Sequence, residues 1–140
     1  MLEEDDSRKL IEALWEQLGC AVDLAEDDAV YFAAQGFLPA AYTDKRRFRR
    51  IHFRDRAVLE HDNAHYAVYT KDICRSGVAF LHAHQLFPGD RVRLFLASGL
   101  VLSLVIRRSI QIRDQCFECG GELVATRRPS VLPDGKPIGR

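Results

Sequence analysis

From Thr43 onward apolar residues recur at every second position, and no other feature limits the possible folds as much. Val92, Leu94 and Leu96 share one face of an extended segment, as do Leu100, Leu102, Leu104 and Ile106, because successive side chains of a strand point to opposite sides. The pattern predicts strands at His52–Glu60, Ala64–Lys71, Val78–His84, Asp90–Leu96, Leu100–Arg108 with a continuation to Arg113, and Cys116–Val124. Turn signals at Pro88-Gly89-Asp90, Ser98-Gly99 and Gly120-Gly121 separate several of them. Five or six short antiparallel strands in so short a stretch predict a small closed β-barrel, since closure removes the exposed edges of an open sheet.

The residues before this region follow a different period. From Ser7 to about Gly19, Leu10, Ile11, Leu14, Trp15 and Leu18 fall on one helical stripe, with Glu12, Glu16 and Gln17 off it. An amphipathic helix anchored by Trp15 is expected, ended by Gly19. Packing on the barrel is the preferred reading of its stripe, and docking to a protein partner or a second copy the sharper one. A second short helix is predicted from Asp28 to Gln35, capped by Asp27 or Asp28 and closed by Gly36 before Pro39. The chain thus divides into an acidic helical extension (1–43), the barrel (44–125) and a flexible basic tail (126–140) that holds three of the five prolines.

A net charge of zero conceals an asymmetry. Residues 1–28 carry ten acids against Arg8 and Lys9, a balance of −8, and the rest of the chain carries +8. The barrel portion should therefore attract anions. No apolar run is long enough to span a bilayer, and the acidic start Met1-Leu2-Glu3-Glu4-Asp5-Asp6 lacks the pattern of a secretion signal. A cytoplasmic location is expected, with no membrane insertion. Cys20, Cys74, Cys116 and Cys119 are scattered rather than arranged as a disulfide framework.

Two stretches carry the chemistry. Lys45-Arg46-Arg47-Phe48-Arg49-Arg50 sets five cations within six residues, and an arginine fork can grip a phosphate through two hydrogen bonds or lie flat on a purine. About twenty residues later comes Asp72-Ile73-Cys74-Arg75-Ser76-Gly77. Its carboxylate can accept from the N–H groups of guanine, and its glycine allows a close backbone approach. Asp72 and Cys74, two apart in an extended segment, point to one face. A strand end followed by a turn explains Asp72 and Gly77 equally well, and it is the arginine run upstream that favours a ligand.

In this pairing the chain resembles the PilZ domain, a bacterial receptor module for cyclic di-GMP. Arg46 and Arg50 match the family's R-x-x-x-R motif, and Asp72 and Gly77 match its [D/N]-x-S-x-x-G motif, with Cys74 in place of the usual serine. A thiol is the weaker donor and acceptor. The resemblance covers roughly residues 44 to 124 and implies a six-stranded barrel. It also implies that Arg46, Arg47, Arg50, Asp72, Cys74 and Gly77 bind cyclic di-GMP, taken up as a self-stacked dimer, with Arg46 and Arg50 gripping phosphates and stacking on guanine. No further cofactor is implied.

Other motifs carry less. Cys116-x-x-Cys119-Gly120-Gly121 has the shape of half a zinc knuckle. His82-x-His84 is the available source of two more ligands, and small apolar fillers in a last strand are the preferred reading. His61 and His65 are expected at the surface. No nucleophile–base arrangement, phosphate-binding glycine loop or two-metal acidic cluster stands out, so no catalytic residue is assigned and the chain is read as a non-enzyme.

The sequence therefore predicts a cyclic di-GMP receptor or adaptor whose segment before the barrel folds over the nucleotide and signals to a protein partner, through the helix around Trp15. One alternative is a nucleotide-blind adaptor of the same family that binds only protein. Another is a small basic barrel for nucleic acid, which the scarcity of aromatics among the arginines argues against.

Overall fold

The structure is a computed structural model that describes residues 4–24, 36–39 and 51–127. The described residues form one helix, α1 (Glu4–Leu18), and seven strands: β1 (Gly36–Pro39), β2 (Ile51–His61), β3 (Ala64–Ile73), β4 (Gly77–His82), β5 (Arg91–Leu96), β6 (Val101–Arg113) and β7 (Cys116–Arg127). All pairings are antiparallel, in the order β1-β2-β3-β4-β7-β6-β5, and β2 also pairs with β5. That last pairing closes β2 to β7 into a six-stranded barrel. Along the edge of β2 away from β3, β1 pairs with Ile51–Arg54 and β5 with Ala57–Glu60.

Alternation sorts the side chains as the period-two pattern requires. Val92, Leu94, Leu96, Leu102, Leu104 and Ile106 enter the barrel core with Leu59, Val68 and Phe80, and Leu100 packs against it partly buried. Each such side chain taken from water contributes about 1.5–3 kcal/mol before the entropy of ordering it is subtracted. The connections follow turn chemistry. Asp62 and Asn63 take φ of 50° and 65° in the two-residue β2–β3 hairpin, a conformation these side chains tolerate. Gly89 (φ 95°) and Gly99 (φ 96°) serve the turns before β5 and β6.

Helix α1 lies against the outside of the barrel. Ile11 and Leu14 pack on Val58, Phe95, Ala97 and Val101, the outward residues of β2, β5 and β6 and of the turn between the last two. The Trp15 indole N–H donates to the Val68 carbonyl at 2.9 Å, and the Arg56 guanidinium lies 4.8 Å from its ring centroid. Arg8 grips the buried Asp55 carboxylate with two bonds of 3.0 and 2.8 Å. Gly19, at φ 73°, ends the helix with its N–H on the Trp15 carbonyl. Trp15 is only 7% exposed, so the apolar stripe is used by the barrel itself. A partner meeting α1 as it is docked here meets the acidic side of Glu16 and Asp6, not Trp15.

Several elements differ from expectation. The helix begins at Glu4 rather than Ser7. Gly36 opens β1, with Pro39 at its end, where a missing N–H is tolerated on a short added strand. Gly120-Gly121 is no turn, since both residues lie inside β7, for a reason that belongs to the site described below. β4 stops at His82, and β7 runs on to Arg127, with Thr126 and Arg127 opposite Leu102 and Val101. The helix predicted at 28–35 and most of the predicted tail, 128–140, lie outside the described residues. Among those described, no helix is long and apolar enough to cross a membrane.

Candidate ligand-binding site

The second motif folds into the wall of an open cleft of about 240 Å³ on the outside of the barrel. β3 delivers Asp72 near its end, 9% exposed, with His52 opposite it on β2 and Ala79 on β4. The chain then turns sharply. The Cys74 N–H donates to the Gly77 carbonyl at 2.9 Å, and the Leu123 N–H of β7 holds the Ser76 carbonyl at 2.8 Å. This turn brings the Cys74 thiol and the Ser76 hydroxyl within 3.3 Å of each other at the cleft. Gly77 is required by geometry, because a Cβ there would fall 2.2 Å from the Gly121 carbonyl oxygen.

The opposite side of the cleft comes from β6 and β7. Arg107 and Arg108 both line it, with Gly120, Gly121 and Glu122. Neighbouring residues of a regular strand point to opposite faces, but the β6–β7 register shifts between Ile106 and Arg108, and such a bulge re-aims side chains. Ile106 remains fully buried in the core while two consecutive arginines face outward. The Arg108 side chain crosses the bare backbone of Gly120, where a Cβ would meet it at 3.1 Å. Gly121 is equally constrained from within, since a Cβ there would stand 3.0 Å from Leu104. The glycine pair is thus a close-packed floor.

The charges around the cleft are paired, and all but Glu118 are well exposed. Arg107 meets Glu122 at 3.1 Å, with side chains 59% and 53% exposed. Glu118 takes Lys71 and, at 3.8 Å, Arg108. Exposed pairs of this kind contribute little to stability, so these cations can change partners at small cost.

Of the residues singled out from the sequence, the structure brings Asp72, Cys74 and Gly77 together at the cleft. Arg46, Arg47 and Arg50 lie outside the described residues; the run ends one residue before β2, whose Ile51 and His52 pair with Ile73 and Asp72. Sequence reasoning missed Ser76, Arg107, Arg108 and Glu122. Two signals for them were present: a pair of arginines interrupting the alternation of β6, and a glycine pair within a strand pattern, which marks close backbone approach.

The zinc arrangement does not form. Cys116 packs with Leu81, Val22 and Leu24, whereas Cys119 enters the main core, as expected of strand residues three apart. Burial pushes the Cys119 thiol up to about 11. Among the described residues no group of three or more histidines, cysteines and carboxylates is placed to hold a metal. His82 is fully buried with Nδ1 unpartnered among the described residues, its ring 4.9 Å from that of Tyr66. Burial, with His84 and His61 nearby, pushes it down to about 3, so it is neutral at physiological pH. His65 meets Glu60 at 3.1 Å on the barrel exterior, half-buried rather than freely exposed.

The described residues thus form a six-stranded antiparallel barrel with an open, charged cleft on its outer side. Compared with known protein families, residues 44–127 match the PilZ domain, and the chain belongs to that family. No curated protein is similar enough to count as a relative.

Proposed function

We propose that the chain is a receptor for cyclic di-GMP that passes the signal to a protein partner. Family membership supports this reading, and the observation that carries it is the placement of Asp72. A nearly buried carboxylate stands at one side of a cleft whose other side carries two guanidiniums beside Glu122, so that guanine N–H groups can be accepted on one side while phosphates meet cations on the other. Gly77 keeps the wall thin. Cys74 and Ser76 place a thiol and a hydroxyl side by side, so a hydroxyl is present beside the position where the motif usually has serine.

A cleft of about 240 Å³ is smaller than the roughly 300–1,000 Å³ of sites that enclose a drug-sized ligand. The remaining cover is assigned to Arg46, Arg47 and Arg50. Their guanidiniums repel one another in the empty protein, and bound phosphates neutralise them and fold the segment before the barrel over the nucleotide. Protection of that segment from proteolysis by cyclic di-GMP checks this step.

Calorimetric titration with cyclic di-GMP, beside cyclic di-AMP, tests the reading. Saturable, guanine-selective binding is expected, weakened by at least about tenfold in Arg50→Ala, the loss of one charge-assisted contact. Equal response to any polyanion would favour nucleic acid. Absence of binding would leave a protein-only adaptor.

A further inference from the structure

We propose that Arg107 and Arg108 form a second phosphate grip, on the wall of the cleft opposite Asp72 and outside both sequence motifs of the family. The inference rests on the receptor reading above and names residues which that reading does not use. The bulge between Ile106 and Arg108 turns two successive side chains outward where a regular strand would send one into the core. Gly120 lets the Arg108 side chain lie against bare backbone, so its guanidinium is displayed along the floor rather than lifted off it. Neither feature improves the barrel. A bulge interrupts the ladder, and glycines in a strand weaken it.

The carboxylates beside the arginines set how the grip works. Glu122 holds Arg107 through an exposed pair, and the half-buried Glu118 meets the half-exposed Arg108 at 3.8 Å. Both orient the guanidiniums, yet such pairs in contact with water are weak. A phosphate offers each arginine a bidentate, doubly charged-assisted contact, so ligand binding exchanges carboxylate for phosphate. Lys71, already on Glu118, keeps that carboxylate paired after Arg108 leaves it. The grip then faces Asp72 across the cleft, cations on one wall and the guanine acceptor on the other.

Calorimetry of the full chain with cyclic di-GMP decides the matter, using Arg107→Ala, Arg108→Ala and their double variant. Arg91→Ala, an exposed cation on β5 that does not line this cleft, corrects for the loss of charge alone. Each single variant is expected to weaken binding by about tenfold and the double by about a hundredfold, with Arg91→Ala within about twofold of the parent. Glu122→Gln, which frees Arg107, should tighten binding. A lower salt dependence of the double variant would identify the lost contacts as phosphate contacts. The side chains are exposed, so melting temperatures should match the parent and exclude misfolding. If the parent binds, Arg50→Ala does not, and the double variant binds as the parent does, the second grip is wrong and the receptor reading stands. If the parent itself does not bind cyclic di-GMP, both fall.

Discussion

Two outer faces of one barrel are treated in opposite ways. Where β2 and β5 meet, the outward residues are Val58 and Phe95, and α1 covers them with Ile11 and Leu14, while Trp15 lies against Tyr69 of β3. Where β4, β7 and the far half of β6 meet, the outward surface is glycine backbone, two arginines and their carboxylates, and a cleft stays open. The first face has become a second core. The second avoids apolar cover; a Cβ at Gly77 would fall 2.2 Å from a backbone carbonyl oxygen, while one at Gly120 or Gly121 would crowd a side chain at 3.1 or 3.0 Å. A barrel this small thus uses one side for stability and keeps the other for a ligand, so substitutions on the two sides should separate into stability effects and binding effects.

The largest expected effect lies on the covered side. Trp15→Ala removes a buried ring, its hydrogen bond to Val68 and the Arg56 contact, and is expected to cost about 3–5 kcal/mol in urea unfolding. If the helix is structural cover, cyclic di-GMP affinity of the folded fraction should stay near the parent's. Unchanged stability would mean that α1 is not part of the barrel's core and would return its stripe to the role of a partner surface.

Gly77→Ala probes the boundary between the two regimes. The new methyl meets a backbone carbonyl, which cannot rotate away as a side chain would, so β4 and β7 must separate locally. A cost of roughly 1–3 kcal/mol is expected from overpacking, together with loss of binding as Ser76 and Asp72 shift. Equal stability and full binding in this variant would show that the close approach at Gly77 is incidental to the site.

What could be read from the sequence divides along the same line. The barrel strands and the stripe of α1 were legible because burial writes a period into the chain, two residues for Val92, Leu94 and Leu96 and a helical turn for Ile11, Leu14 and Trp15. The first half of the site was legible because Asp72 to Gly77 lie together in one short segment. The second half was not. Arg107 and Arg108 come within reach of Asp72 only through the β4–β7–β6 ladder, and the bulge that turns both outward has no local signature beyond two polar residues in a row. Gly120-Gly121 was misread as a turn because glycine reports permissive backbone without saying whether the need is a positive φ or an absent side chain. Gly36 carries the same ambiguity: a glycine ahead of a proline suits a helix stop as well as the start of a short strand such as β1.

The smallest expected effect on stability is the sharpest test of the open face. Gly120→Ala places a methyl 3.1 to 3.2 Å from Nε and Cγ of Arg108, atoms of a flexible, half-exposed side chain that can yield. In a strand, alanine also loses less backbone entropy on folding than glycine. The two terms oppose each other, and the unfolding free energy should move by less than about 1 kcal/mol in either direction. Binding should respond differently. Lifting Arg108 off the floor moves its guanidinium from the position where it meets phosphate, and affinity for cyclic di-GMP is expected to fall by about threefold to tenfold, a cost near 1 kcal/mol. An unchanged fold with weakened binding would show that the glycine floor serves the ligand. If the same substitution instead destabilised the barrel strongly, the floor would be a packing requirement like the interior, and the contrast between the two faces would lose its meaning at this strand.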